Sequence, residues 1–373
     1  MFIKKKWKLI SHFFEVHETS ILVSIGVIVG AGILLAGILY AVAPKTESEL
    51  TERSALFDFF GGQTVEEESL PSVLPRRIDG VIVAREDANR VPACVMIENA
   101  AFDGVRPQSG LSRASVVYEV VVEGGITRFM AVFAGEESEM VGPVRSARDT
   151  YLEFVSEYNC AYMHAGGSYT ALRAIPRFEL RDVDGLREAK YFWRQSGKYS
   201  PHNLFTSTTD LYQSIVDHGW ADEDPLEYQE WNFVDPLEQT GESVGTHRVS
   251  IFFGGAYNVD YNYNEEQKYY ERSNGNVLQH DAVNDEVISA RNVILQHVGE
   301  GQYIEGKGRV NWPVTGTGTV EIFHDGKKFE GLWRKNSREE RTEFIDPDGN
   351  LIPLARGNSW ISIVPDHITI EEK

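Results

Sequence analysis

The sequence predicts an α+β protein with an N-terminal transmembrane helix, a mixed α+β first domain around a hairpin-containing sheet, and a β-rich second domain. Three observations support this fold class: an apolar run near the N-terminus, strand-like and helix-like signals mixed in the first half, and short strands separated by turns in the second half. The chain has 373 residues, of which 42% are hydrophobic and 25% charged, so it has the balance of a folded protein and the length of two domains.

The apolar run extends from Ile21 to Val42, and roughly 20 such residues are enough to cross a bilayer. Four lysines precede it and the acidic stretch PKTESELTE follows it, which predicts that residues 1–20 are a cytoplasmic basic tail. Residues 21–43 are then a single-pass anchor in the cell membrane, and the bulk of the chain is extracytoplasmic. The alternative is a signal peptide cleaved after Ala43, but the apolar run is longer than signal peptides usually have.

Composition divides the rest of the chain and restricts its partners. We predict an acidic stalk over 44–75, an α+β domain over 76–220, a connection over 221–244 and the β-rich domain over 245–366.

The formal net charge of −20 at pH 7 predicts no nucleic-acid partner, because a negative surface repels phosphate backbones. An anionic ligand therefore needs a local basic pocket. The sequence has no nucleotide-binding motif, so no cofactor is expected.

The two cysteines, Cys94 and Cys160, both lie in apolar runs that are typical of core strands. A disulfide between them is chemically permitted outside the membrane. Because a chain of this size needs no covalent crosslink, we expect two buried thiols that pack as small hydrophobic side chains.

The clearest element is a hairpin in which two β-branched and aromatic runs flank Gly124-Gly125. A two-residue turn there would pair Glu123 with Ile126. Glu119, Glu123 and Arg128 would then share one face of the hairpin. This face is interpreted either as an exposed ion-pair cluster or as the polar floor of a site.

Three helices are predicted in the first domain from their caps and their apolar spacing. Ser146 is the expected N-cap of the first helix, with Asp149 completing a capping box. Ser168 is expected to cap the second helix. Ser207 is expected to cap the third, with Asp210 in the capping box and a glycine near the helix end.

The first candidate ligand site lies where Arg145 and Arg148 flank the start of the first predicted helix. The helix dipole is positive at this end, so the two arginines require negative charge nearby. An anionic ligand held by these residues and Arg128 would supply that charge. Alternatively, the carboxylates of Glu119, Glu123 or Asp149 supply it and the cluster is structural.

Two further segments add candidates. The MHAGGS segment places His164 at a strand end, and the backbone of Gly166 and Gly167 precedes the predicted cap Ser168. The SPHNLF segment places His202 and Asn203 in a loop, where they could bind a ligand, act in acid–base chemistry or anchor the loop. A Ser168–histidine hydrolase pair is disfavoured because Ser168 already caps a helix.

Two other interpretations compete for this part of the sequence. Asp182 and Asp184 could join the histidines as metal ligands, but no metal-binding motif fixes a geometry, so no metal site is predicted. Aromatic residues in YFWRQSGKY could stack on sugar rings, although core packing is the more common role of such residues; they are Tyr191, Phe192, Trp193 and Tyr199.

The stretches RPQSGLSRASVVYEVVVEGGITRF, GPVRSARD, HAGGS and SPHNLF, in this order, resemble the YerB-like family of bacterial cell-envelope proteins of unknown function. The resemblance extends from about Pro75 to Pro365. It implies a two-part α+β protein at the outer face of a bacterial membrane, and it carries over no catalytic residue. Many members are lipoproteins, whereas this chain has no cysteine near the end of its apolar run to take a lipid.

Three functional hypotheses follow. The first is a non-catalytic binding module for an anionic cell-wall polymer or an envelope partner protein. The second is an envelope hydrolase or transferase acting on peptidoglycan or another glycopolymer, with His164, His202, Glu119 and Glu123 as its acid–base candidates. The third is an assembly factor that contacts other membrane proteins through the β-rich domain.

Overall fold

The computed structural model describes residues 71–222, 230–235, 245–304 and 308–373. The predicted tail and anchor, most of the stalk and most of the 221–244 connection lie outside these residues. Within the described ranges, no helix combines the length and apolar character that a membrane crossing requires.

The first half mixes strands with helices, as predicted. Its α-helices are α1 (Asp149–Tyr158), α2 (Tyr169–Arg177) and α3 (Thr208–Asp217). Its strands are β1 (Val73–Pro75), β2 (Ile82–Ala84), β3 (Ala93–Glu98), β4 (Val116–Val121), β5 (Thr127–Phe133), β6 (Ala161–His164), β7 (Arg181–Asp184), β8 (Trp193–Arg194), β9 (Leu204–Phe205) and β10 (Phe233–Val234).

The second half is strand-rich. Its strands are β11 (Arg248–Phe252), β12 (Val259–Asn264), β13 (Tyr269–Asn274), β14 (Val277–Leu278), β15 (Ser289–Ala290), β16 (Asn292–Val298), β17 (Gln302–Ile304), β18 (Arg309–Asn311), β19 (Gly316–His324), β20 (Lys327–Lys335), β21 (Glu343–Ile345), β22 (Leu354–Ala355), β23 (Ser359–Pro365) and β24 (Thr369–Glu372).

A ten-stranded sheet joins the two halves in the order β21-β20-β19-β16-β23-β4-β5-β3-β6-β7. At its centre β23 from the second half runs parallel to β4 from the first, with Ser362 opposite Glu119. The described chain from Pro71 onward forms one compact unit. The residue limits of the two predicted domains stay a prediction.

Alternate residues of the sheet face two different layers, because side chains of a strand point to opposite faces with a period of two. In β3, Cys94 and Met96 pack with α1 and α2 on one face. Val95 and Ile97 pack on the other face with α3 and with the second sheet, β14-β13-β12-β11-β24. The part of the sheet around β3, β5 and β6 is therefore buried on both sides, so the functional side chains of these strands are expected at the strand ends.

The predicted hairpin is present as β4 and β5, but its predicted register is wrong by one residue. Val122 and Ile126 close a three-residue turn in which Gly124 and Gly125 both have positive φ. Glu119 pairs with Phe129, and Arg128 lies opposite Val120. Glu119 and Arg128 therefore do not share a face.

The helix caps were predicted correctly for two of the three helices. Ser168 and Ser207 accept hydrogen bonds from the backbone N–H of Ala171 and Asp210, as N-caps do. The prediction for Ser146 is wrong, because α1 begins at Asp149 and Arg148 occupies the N-cap position. The Ser146 hydroxyl instead donates to the carbonyl oxygen of Ala165.

Cys94 and Cys160 are bonded to each other, so the expectation of two free thiols is wrong. Both residues are buried in the layer next to α1 and α2, as the apolar runs predicted. Cys94 lies in β3 and Cys160 directly precedes β6, and these two strands are parallel neighbours in the sheet. The disulfide therefore ties together the two strands that end in Glu98 and His164.

Candidate functional site

The carboxylate of Glu98 brings two of the predicted site residues together. Its Oε1 lies 3.1 Å from Nε of Arg145, and its Oε2 lies 2.6 Å from Nδ1 of His202. The Glu98 side chain is 5% exposed, whereas those of Arg145 and His202 are each 23% exposed. We call these three residues the Glu98 site.

The backbone explains why Arg145 lies beside Glu98. The GPVRSAR segment runs along the end of β3, where the N–H of Glu98 donates to the carbonyl oxygen of Pro143 at 3.0 Å. The N–H of Arg145 donates to the carbonyl oxygen of Met96 at 2.8 Å. The Arg145 side chain thus leaves the segment at the level of the last residue of β3.

His202 lies in a short loop that is held in place by hydrogen bonds. Asn203 accepts a hydrogen bond from Arg194 and donates to the carbonyl oxygen of Lys198, which holds the loop on both sides of the histidine. The exposed ring of Phe102 meets the His202 ring edge-on at 5.9 Å. Nδ1 of the His202 ring faces the carboxylate of Glu98, and no described residue bonds Nε2. Nε2 is therefore the ring nitrogen available to a ligand.

Arg128 and Arg148 do not join the Glu98 site, because both face Glu123. Arg148 donates two hydrogen bonds to the Glu123 carboxylate, and Arg128 lies 3.9 Å from it. We call these three residues the Glu123 cluster. Burial acts to raise the pKa of Glu123, but the hydrogen bond from Arg148 and the two positive charges outweigh it and lower the pKa to about 2.

Each arginine of the cluster also donates a hydrogen bond to the backbone. Arg128 donates to the carbonyl oxygen of Ser146 at 3.0 Å, and Arg148 donates to that of Ala147 at 2.7 Å. Burial and the neighbouring charge of Arg148 lower the pKa of Arg128 to about 10. The negative charge that the helix start requires is therefore supplied here by Glu123.

His164 lies fully buried at the end of β6 and does not meet His202 at a shared carboxylate. Its Nδ1 faces the carbonyl oxygen of Gly166 at 2.8 Å, and its Nε2 faces Oδ1 of Asp182 at 2.7 Å. A carbonyl oxygen only accepts, so Nδ1 carries a proton. Both ring nitrogens of His164 are thus bonded inside the protein.

The Gly-Gly turn that follows His164 directs its backbone groups inward. The N–H of Gly166 donates to Asp184, and the N–H of Ser168 donates to the carbonyl oxygen of Ala147. A side chain at Gly167 would approach Ala147 and Leu172 to 3.1 Å, so the turn packs closely against the segment after Arg145. The Ser168 hydroxyl donates to Asp149 while it caps α2, which leaves it no role as a nucleophile.

Glu119, the remaining acid–base candidate, is far from the solvent. Its side chain and that of Arg272 are both fully buried and form an ion pair at 2.6 Å. The Arg272 guanidinium lies 4.5 Å from the centre of the Trp360 ring. This pair belongs to the face of the sheet that packs on the second sheet.

The aromatic candidates divide between core and surface. Tyr191 and Phe192 are buried, and Trp193 is half-buried. Tyr199 is 87% exposed, three residues before His202 in the same loop.

Sequence reasoning missed Glu98. The signal was present in ACVMIE, where a carboxylate follows an otherwise apolar run and therefore lies at the end of the strand. Its two partners come from segments about 50 and 100 residues away, so only the fold shows that they meet.

Comparison with known families gives two matches along the chain. Residues 79–221 match the model described as protein of unknown function (DUF3048) N-terminal domain. Residues 249–361 match the model of the DUF3048 C-terminal domain. Together the two models cover more than half of the chain, and all three residues of the Glu98 site lie in the first.

Two comparisons with individual proteins agree with this. The chain is 29% identical over 296 residues to "Putative lipoprotein YerB" of Bacillus subtilis, covering 78% of this chain and 86% of the relative. The crystal structure of YerB protein from Bacillus subtilis superposes with a TM-score of 0.70 at 29% identity, covering 80% of this chain and 99% of that one. The chain therefore belongs to the DUF3048 family of proteins of unknown function and is YerB-like.

Proposed function

We propose that this chain is a membrane-anchored extracytoplasmic binding module that holds an anionic group of a cell-wall polymer at the Glu98 site. One observation carries the proposal: Arg145 and His202, from separate segments, converge on one buried carboxylate and both keep solvent exposure. The neighbouring Glu123 cluster also pairs one carboxylate with two basic side chains, but both of its arginines are largely buried and donate to groups of the protein.

The guanidinium of Arg145 is suited to this role. Its Nε faces Glu98, and no described residue bonds its two terminal nitrogens. Those nitrogens can grip a carboxylate or a phosphate with two parallel hydrogen bonds. His202 contributes a further donor when its ring is protonated, and the exposed rings of Phe102 and Tyr199 offer apolar faces to a sugar.

The location rests on separate support. The Bacillus subtilis relative is named "Putative lipoprotein YerB", and a lipoprotein is held at a membrane by its lipid. In this chain the predicted helix over 21–43 takes the place of a lipid, and the positive-charge bias orients the chain outward. The net charge of −20 disfavours nucleic acid as a partner.

The test is co-sedimentation of the full chain, purified in detergent micelles, with isolated cell walls. We expect Arg145→Ala/His202→Ala to bind at least about tenfold more weakly than wild type, because the lost hydrogen bonds are charge-assisted. The matched control is Arg187→Ala, which removes an arginine side chain that is 70% exposed.

Walls stripped of their anionic polymers form a further arm of this experiment and separate phosphate polymers from peptidoglycan carboxylates as the ligand. Equal sedimentation of wild type and the folded double variant would contradict the proposal.

A second candidate function, an envelope hydrolase or transferase, is favoured by the 2.6 Å contact of Glu98 with Nδ1 of His202. A carboxylate in this position orients the ring and leaves Nε2 to exchange a proton with a substrate or a water molecule. Release of soluble fragments from the sedimented walls by wild type, and not by His202→Gln, would establish this function instead of binding alone.

A further inference from the structure

A second polar cleft lies on the α1–α2 side of the sheet, away from the Glu98 site. It has a volume of about 410 Å³ and is lined by residues of both helices together with Asn311 and Arg338 from the second half of the chain. We call it the α2 cleft. Neither the family match nor the proposed function assigns a role to it.

Both carboxylates of the α2 cleft already accept hydrogen bonds from the protein. Oδ2 of Asp149 accepts hydrogen bonds from the hydroxyls of Ser168 and Thr170, each at 2.8 Å. The carboxylate of Glu153 accepts from Arg338 at 3.0 Å and from Thr315 at 3.1 Å. The two carboxylates thus serve the protein's own donors.

The donors of the cleft are largely free. Arg177 makes no hydrogen bond or ion pair with any described residue, although its guanidinium lies 4.7 Å from the Phe178 ring centre. The only polar partner of the Arg173 guanidinium in the described chain is the hydroxyl of Tyr169. Asn311 uses its carbonyl oxygen to accept from Thr150, and no described residue bonds its amide nitrogen. An occupant of this cleft therefore has to supply acceptors and negative charge.

Aromatic rings stand beside these donors. Tyr169 is 64% exposed, and the Arg173 guanidinium lies 5.3 Å from the centre of its ring. The Phe178 ring is covered by Arg338, whose guanidinium lies 3.4 Å from the ring centre. The exposed face of Tyr169 is the kind of surface on which the apolar face of a sugar ring packs.

We propose that the α2 cleft is a second ligand site, which binds a saccharide that carries a carboxylate or a phosphate. Arg173 and Arg177 would hold the charged group, since guanidinium groups bind either anion in a bidentate manner. Asn311 would donate to a hydroxyl or carbonyl oxygen, and Tyr169 would stack on the ring. The proposal is independent of the Glu98 site, because the two sites share no residue.

The test is calorimetric titration of the full chain in detergent micelles with three defined sugars. N-acetylmuramic acid presents a carboxylate, N-acetylglucosamine 1-phosphate presents a phosphate, and neutral N-acetylglucosamine is the control. We expect saturable binding of at least one anionic sugar, at least about tenfold tighter than that of the neutral sugar. The sugar that binds more tightly identifies the anion.

Matched variants locate the binding. Arg173→Gln/Arg177→Gln is expected to weaken binding of the anionic sugar at least about tenfold. Arg248→Gln, which removes an exposed arginine from the second sheet, is expected to leave it unchanged. Tyr169→Ala should weaken binding of both anionic sugars, whereas Tyr169→Phe should retain it.

Three outcomes would overturn the proposal: no saturable binding of either anionic sugar to the wild type, equal binding of the neutral sugar, or unchanged binding by the folded double variant. Loss of binding in Arg145→Ala alone would assign the sugar to the Glu98 site. Failure here leaves the wall-binding test of the Glu98 site unaffected, because that test uses different variants and a different readout.

Discussion

The Glu123 cluster and the Glu98 site each pair one carboxylate with two side chains that carry or can carry positive charge. They differ in the hydrogen-bond donors that remain available to a ligand. In the cluster, Arg128 and Arg148 also donate to backbone carbonyl oxygens, and their side chains are only 6% and 11% exposed, so Nε of Arg128, which no described residue bonds, is buried. At the Glu98 site, only one nitrogen of each partner faces the carboxylate. The comparison indicates that unused donors with solvent exposure, more than the presence of arginine, distinguish a binding surface from a structural ion pair.

Removal of Glu123 should have the largest effect on stability. Glu123→Ala leaves the buried guanidinium of Arg128 without a carboxylate, and we expect a loss of about 2 kcal/mol in the free energy of unfolding. Urea denaturation of the full chain in detergent micelles measures this loss in the free energy of unfolding. Glu286→Ala, which breaks an exposed pair with Arg113, is the control and should cost less than about 1 kcal/mol. Equal losses would contradict the assignment of the cluster as structural.

The Glu123 cluster should also make the free energy of unfolding depend on pH, with an effect smaller than that of removing Glu123. The pKa of Glu123 is lowered from 4.5 to about 2, so its contribution is fully present above pH 4.5 and is lost as the pH falls towards 2. We expect the stability difference between wild type and Glu123→Gln to shrink by about 1 kcal/mol between pH 6 and pH 3. A constant difference across this range would show that Arg148 does not stabilise the ionised carboxylate.

Removal of Arg145 should have the smallest effect on stability. Its pair with Glu98 is partly exposed, so we expect Arg145→Ala to change the free energy of unfolding by less than about 1 kcal/mol. The measurement is the same urea titration. A loss as large as that of Glu123→Ala would make the Glu98 site a structural ion pair like its neighbour.

The sequence was sufficient for the features that depend on local pattern. Two β-branched and aromatic runs on either side of Gly124-Gly125 located the β4–β5 hairpin, and Ser168 and Ser207 were recognised as caps because an N-cap depends on residues three apart. The hairpin register was not predictable in the same way. Two successive glycines allow a two-residue or a three-residue turn, and the choice between them moves Glu119 to the opposite face of the sheet.

The sequence predicted the segments that carry the candidate site, but not that these segments meet. Arg145 and His202 were identified from their surroundings in the sequence, but nothing in it indicated that both would meet Glu98. The sequence also offered Arg148 and Arg145 as equivalents. Only the fold shows that Arg148 faces Glu123, whereas Arg145 faces Glu98 and keeps part of its side chain exposed.

The ten-stranded sheet has a consequence for the integrity of the molecule. The parallel pair β4–β23 joins the two family-matched regions through hydrogen bonds along the middle of the sheet, so each half would leave a long, apolar strand edge unpaired if it were alone. A protease that cuts between residues 235 and 245 would therefore produce two fragments that stay associated. The halves act as complementary pieces of one sheet, and expressing either by itself is expected to yield an aggregating polypeptide.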